Sequence, residues 1–421
     1  MVTIYPFAGV RPSCDEAYKK VPSVPYDVVT TEEAAAEIKS NEYSLLRVIR
    51  SDAELSDIDP YDNAVYEQAA FMYEKLKASG YLKEDDSDSY YIYRITLKKE
   101  NLTFTGLTAC VSVEEFINNV IKKHELTRYD KEEDRTRHID TVSAHTGQVF
   151  LLYKDINSIN KRISEIADEN IPAGEFVSKE GNIHRIYRIE DEHLIEEITN
   201  MFKDVPNLYI ADGHHRAKSS VNVYLKRRSE GRLSPDAEKF MGVLFSDKSV
   251  KIYGSHRLVR DLAGMNADQF LSGLSLRFEI SKIKKVDLKK NFISPLEKSK
   301  KFHVIHLYLE SQWYELTRPI DESADAVDVL DVSVLQNLVL DDMLAIIDQR
   351  SDPRLSFVGG VLPLEEIVKE VDSGEYSAAF IMQPITSDQV INVADAGLIM
   401  PPKSTWFEPK LLSGMVIHEI H

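Results

Sequence analysis

The chain of 421 residues carries 69 acidic and 51 basic side chains, a net charge of −18. That surplus of acid excludes a general nucleic-acid binder, whose phosphate partner demands a basic face, and disfavours docking on an anionic membrane. With 43% hydrophobic and 29% charged residues, the composition is that of a folded protein, and the length suits two or three domains or one elaborated one.

Two cysteines, Cys14 and Cys110, build neither a disulfide framework nor a CxxC metal pair. The first residues lack the apolar core of a secretory signal, and no apolar run reaches the roughly 18 residues of a membrane span. A cytoplasmic location is expected.

Pro6, Pro12, Pro22 and Pro25 punctuate the opening. Thr30 and Glu33 read as a capping box that starts a helix running to residue 40. The apolar run 43–49 is expected as a strand. Val65, Ala69, Met72 and Leu76 recur at helical spacing and predict a helix over 62–79, with Gly80 where the C-cap belongs. Residues 90–97 alternate as a strand, with 102–113 as an antiparallel neighbour. A short helix is expected over 114–123, ending near His124. The charge-dense stretch 128–138 predicts a helix or surface loop whose charges, like Arg11, are mostly solvated.

Residues 149–153 read as a buried strand, 185–189 as a strand, 191–202 as a helix and 208–211 as a short apolar strand. A helix follows over 217–228 with positive charge at its C-terminal end, as the helix dipole prefers. Ser234 and Pro235 predict the start of another helix, and 241–246 a strand. The Lys-rich stretch 282–301 is expected to be peripheral or to join two domains. Beyond it come strands at 302–308 and 313–316, a helix near 331–348, and two strand–helix units at 356–373 and 378–396. Thr386 and Gln389 form a second capping box in the last of these. The fold class is α+β, a mixed sheet with flanking helices. A phosphate-binding core is expected over 1–260 and a second α+β domain over 261–421.

The sharpest motif is the run from Tyr209 to Ala217, in which a strand meets a Gly turn and then a helix. Such a turn points free backbone N–H groups and the positive helix end at one spot, an anion site. His214, His215 and Arg216 would oppose the helix dipole there unless an anion is bound. Asp212 could cap the helix, hold Mg²⁺ or accept a proton from a substrate hydroxyl. His124 and Glu125 form a His-Glu pair suited to general-base or metal-ligand work. The stiff Pro401-Pro402 segment precedes Lys403, Ser404 and Thr405, a Lys-Ser-Thr run without the glycines of a P-loop.

The segments F-A-G-V-R-P at 7–12, V-P-Y-D-V-V at 24–29, H-E-L-T at 124–127, A-D-G-H-H-R-A at 211–217 and P-P-K-S-T-W-F-x-P-K at 401–410 together resemble one family. It is a bacterial and archaeal domain-of-unknown-function family whose members carry SpoOJ/ParB-like names. That family is similar to the ParB/sulfiredoxin superfamily, in which free-serine kinases phosphorylate L-serine with ADP or ATP. The resemblance implies a ParB/sulfiredoxin-like core in which Gly213, His214, His215 and Arg216 bind nucleotide phosphates and Asp212 is the acidic position before them. Glu125 is the position offered for the catalytic glutamate. The DNA binding implied by the partitioning name is opposed by the charge of −18 and by the lack of a helix-turn-helix pattern.

Three functions follow as expectations. The first is a phosphotransferase using ATP or ADP with Mg²⁺ on a small hydroxyl metabolite, free L-serine foremost, with Lys403, Ser404 and Thr405 closing over substrate or nucleotide. The second is a metal-dependent hydrolase with His124, Glu125, His214 and His215 as ligands. The third is a non-catalytic, ParB-like nucleotide-binding module. The partner is a small molecule rather than nucleic acid or membrane, and the oligomeric state is open.

Overall fold

A computed structural model describes residues 1–55, 57–295 and 301–421. The chain forms two compact units: residues 1–123, 127–250 and 409–421 make the first, and residues 124–126 and 251–408 the second. Both are mixed α and β, as expected.

The first unit is built on a nine-stranded mixed sheet. Its order is Ile121–Lys122, Leu208–Asp212, Val149–Tyr153, Lys239–Ser246, Leu102–Ser112, Tyr90–Leu97, Ile183–Ile189 and Gly174–Val177, with Ile4–Tyr5 also paired to Leu102–Ser112. Leu208–Asp212 runs parallel to Ile121–Lys122 and antiparallel to Val149–Tyr153, which runs parallel to Lys239–Ser246. Every residue of Val149–Tyr153 is buried, which explains its unbroken apolar pattern. Helices Asn157–Glu169, Glu192–Phe202 and His214–Ser229 supply Ile163, Phe202 and Val221 to the core of this sheet. A second core gathers Ala34, Tyr73, Leu76 and Ile417, so the C-terminal segment is packed into the unit that holds the N-terminus.

The second unit is a six-stranded antiparallel sheet ordered Glu279–Ile283, Gln312–Pro319, Phe302–Leu309, Ala378–Met382, Ser255–Val259 and Leu355–Gly359. Helices Leu364–Asp372 and Ser387–Asp395 accompany it.

The capping boxes are formed as read. Thr30 Oγ1 accepts from Glu33 N at 3.2 Å and Glu33 returns the bond to Thr30 N at 2.9 Å; Thr386 and Gln389 repeat the exchange. Helix Asn63–Ala78 is capped by Asp62, and Gly80 follows at φ 79°.

Several elements depart from expectation. Residues 43–49 contain the helical turn Leu46–Ile49, not a strand. Leu46, Val48 and Ile49 are all buried, and a continuous apolar run carries no period that separates a buried strand from a buried helix. The helix expected over 114–123 stops at Ile117 and is followed by a strand at Ile121–Lys122. Asn119 takes φ 59°, which ends the helix, and Ile121 then finds a sheet neighbour in Leu208. Ser234 and Pro235 start only a turn, with Ser234 Oγ accepting from Ala237 N at 3.2 Å. The helix near 331–348 is an α turn, Asp331–Leu335, continued by a π segment, Gln336–Asp341. Of the Lys-rich stretch, 296–300 lies outside the described residues.

The charge cluster is a solvated face only in part, with Arg128, Asp130 and Glu133 exposed. Tyr129–Val142 is a helix with Asp134, Thr136 and His138 buried. Tyr66 donates to Asp134 at 2.9 Å, Arg135 pairs with Asp134 at 2.8 Å, and the Arg135 guanidinium lies 4.3 Å from the Tyr26 ring centre. Arg11 is likewise paired, with Asp85 at 2.9 Å. Partners brought from distant segments made these burials possible, and no local pattern announces them.

Candidate functional site

Leu208–Asp212 is buried through Ala211, and its register with Val149–Tyr153 shifts between Ile210 and Asp212. A bulge of this kind re-aims the residue that follows it. Asp212 thus ends the strand with its side chain 41% exposed. Gly213 follows at φ 91°, a left-handed conformation that costs a side-chain-bearing residue, and a Cβ there would stand 3.0 Å from Arg216 Nε.

Helix His214–Ser229 starts at that glycine with no side-chain cap. A helix start of this kind attracts an anion through the positive end of the helix dipole. Two cations gather at the same point. Lys410 Nζ is 3.5 Å from Asp212 Oδ2, and Arg216 Nη2 is 4.0 Å from Asp212 Oδ1. Arg216 Nη1 also donates to the Gln148 carbonyl. Asp212 Oδ1 accepts from Gly213 N at 2.8 Å. Partial desolvation at the strand end pushes the Asp212 carboxyl up, but Lys410, Arg216 and the Gly213 N–H together outweigh it and hold it well below the usual carboxylate range. Such a group stays anionic and is a weak base, so it suits holding a cation better than taking a proton.

The two histidines do not behave as a pair of cations. His214 is buried at 6% exposure. His215 Nε2 accepts from the Arg128 backbone N–H at 3.0 Å, which requires a neutral ring protonated on Nδ1. The positive charge facing Asp212 rests chiefly on Lys410 and Arg216, with His214 adding a smaller share. Lys410 ends the segment that opens with Pro401 and carries no mark in sequence that singles it out as a site residue. Beneath the turn, a cavity of about 30 Å³ is lined by Tyr26, Arg135, His138, Thr146, Arg216 and Ser413, room for water but not for a nucleotide.

The remaining sequence candidates lie in the second unit. The His124 carbonyl accepts from Met400 N at 2.9 Å, and its ring lies 6.4 Å from that of Phe407. The H-E-L-T segment is thus joined to the stretch that carries Lys403, Ser404 and Thr405. Glu125 is half-buried, and Lys403 is exposed with φ 53°. Ser404 is buried and donates to the Pro401 carbonyl at 2.6 Å. Among the described residues, no three His, Cys, Asp or Glu side chains gather as a metal-holding group. No helix of the described residues is long and apolar enough to cross a membrane.

A family profile described as "Protein of unknown function (DUF1015)" matches residues 4–333. The chain belongs to that DUF1015 family. No curated protein matches it. Among solved structures, this DUF1015 chain is similar to a conserved hypothetical protein from Pyrococcus furiosus, at 14% identity over 72% of this chain and 90% of that one, TM-score 0.34. It is similar to a free serine kinase in complex with AMP, at 14% identity over 73% and 92% of the two chains, TM-score 0.36. It is also similar to C-terminally truncated SbnI from Staphylococcus aureus, at 10% identity over 73% and 87%, TM-score 0.34. Overlaps this slight carry no conclusion about what the chain does.

Proposed function

We propose that the turn at residues 212–216 binds the phosphates of a nucleotide, ATP or ADP, and that the protein transfers a phosphoryl group to the hydroxyl of a small metabolite, free L-serine foremost. The observation that supports this reading is the uncapped start of helix His214–Ser229 with Arg216 and Lys410 converging on it. Phosphoryl transfer needs positioning and charge neutralisation above all, and these groups are of the kind that supplies both. Kinship with the ParB/sulfiredoxin superfamily is part of the same proposal.

In this reading the backbone N–H groups of the first turn and Gly213 cradle the phosphates. Arg216 and Lys410 offset their charge. The partly exposed Asp212 carboxylate fits a Mg²⁺ ion held by one protein carboxylate together with substrate phosphates and water. Such an ion would neutralise charge on the transferring group. His214 and His215 shape the turn. Glu125 as proton acceptor, His124, and residues 403–405 as contributors rest on the sequence motifs.

The metal-hydrolase alternative gains no support from the ligand geometry among the described residues. The test is incubation of the full chain with ATP or ADP, Mg²⁺ and L-serine, with phosphoserine followed by mass spectrometry and melting temperature followed with nucleotide. Phosphoserine with a nucleotide-dependent rise in melting temperature supports the proposal. A rise without product would turn the reading to a nucleotide-binding module, and neither would remove it.

A further inference from the structure

The second unit contains a cavity of about 350 Å³ between the 331–350 region and the segment from Ile399 to Pro402. Three of its lining residues carry a buried side-chain oxygen that makes no hydrogen bond among the described residues: Ser333 Oγ, Gln336 Oε1 and Gln349 Oε1. An unpaired buried polar atom costs about 1–3 kcal/mol, and three along one cavity need an account. The orientation of Gln336 is settled by its other end. Its Nε2 donates to the Ile346 carbonyl at 3.0 Å and the Ile347 carbonyl at 3.4 Å, so the oxygen is the atom left over.

Gln336 also opens the π segment Gln336–Asp341, a form rare in proteins and concentrated at functional sites. The opposite wall is fastened from behind, where Arg257 Nη2 donates to the Pro402 carbonyl at 3.4 Å and Ser404 Oγ to the Pro401 carbonyl at 2.6 Å. At the rim stand the exposed carboxylates of Asp328 and Asp348 against one cation, Arg350. The lining therefore offers acceptors inside and an excess of negative charge at the mouth.

We propose that this cavity is a binding site for a small metabolite that enters by a primary ammonium group. An ammonium is a three-proton donor with no acceptor, so it suits a cavity whose unpaired oxygens can all accept a hydrogen bond. The two rim carboxylates would draw a cation and repel an anion. A volume of about 350 Å³ holds a molecule of several heavy atoms rather than a single water. The site lies wholly in the second unit and stands or falls apart from the phosphotransfer reading.

Isothermal titration calorimetry of the full chain at neutral pH tests it, with ethanolammonium, glycerol and inorganic phosphate as probes. Ethanolammonium is expected to bind, with glycerol and phosphate silent at the same concentrations. Ser333→Ala should weaken it about tenfold. Gln349→Glu, which exchanges an amide for a carboxylate, should tighten it several-fold, an outcome that a purely structural role would not give. No ethanolammonium binding at millimolar concentration overturns the site. An equal response to glycerol or phosphate, or weakening in a folded Gln349→Glu variant, overturns the ammonium assignment.

Discussion

Lys410 Nζ lies 3.5 Å from Asp212 Oδ2 across 198 positions of sequence. If the turn holds phosphate as proposed, the Asp212 carboxylate would repel the ligand, and this lysine together with Arg216 would offset it. Both cations stand beside the start of helix His214–Ser229.

Removing that lysine should expose the point directly. Lys410→Met keeps the length and apolar stem and deletes the charge. A charge-assisted contact to phosphate contributes about 1.5–3 kcal/mol. Affinity for ADP should therefore fall by about tenfold or more in calorimetry, with a melting temperature close to that of the parent. Unchanged affinity would place the phosphate elsewhere.

Gly213→Ala tests the geometry of the turn. At φ 91°, with Arg216 Nε 3.0 Å from the added Cβ, the substitution costs about 1–2 kcal/mol in backbone strain alone. Urea unfolding should show a lower midpoint, and nucleotide binding should weaken beyond the loss of folded fraction because Arg216 must shift.

Three buried histidines set a pH dependence of stability. Burial pushes His138, His184 and His256 each down to about 4. The unfolded chain binds a proton at each near pH 6.5, whereas the folded chain resists until about pH 4. Between those values the unfolded state holds more protons, so stability rises with pH and is lost on acidification through this window. The melting temperature should be level above pH 7 and fall steadily from pH 6.5 to 4. His138→Gln keeps a donor for the Val48 carbonyl, now 2.9 Å from His138 Nε2, and should flatten part of the slope.

Asp140 holds three cations, with Lys226 at 2.7 Å, the buried Arg227 at 2.9 Å and Arg232 at 2.7 Å. Burial pushes its carboxyl up, yet the hydrogen bonds of Arg232, Lys226 and Arg227 prevail and hold it well below the usual range. Asp140→Leu would strand the Arg227 charge in the interior. Breaking a buried pair on one side costs about 3–5 kcal/mol. A drop of that size in unfolding free energy is expected, and Lys226→Ala, at the exposed edge of the cluster, should cost far less.

Much of the fold was legible where local chemistry dictates it. The capping boxes at Thr30 and Thr386, the helix at 62–79 and the strands at 90–97, 149–153 and 241–246 follow from caps and periodicity. The segment at 43–49 misled because Leu45, Leu46, Val48 and Ile49 are all buried, which leaves too little polar face to reveal its period. The π segment after Leu335 has no sequence signature at all. At the turn itself, the strand, glycine and helix were readable. The neutrality of His215 was not, because it depends on the backbone N–H of Arg128, which lies 87 positions away. Lys410 escaped selection for the same reason.

The proposed activity needs the turn at residues 212–216 to bind nucleotide and support phosphoryl transfer. It is tested most directly by mass spectrometry of L-serine incubated with ATP or ADP, Mg²⁺ and either the parent chain or Arg216→Ala. Phosphoserine formed by the parent and reduced about a hundredfold or more in a folded Arg216→Ala variant is the predicted result. Equal product from both, or none from the parent with any nucleotide, would contradict it.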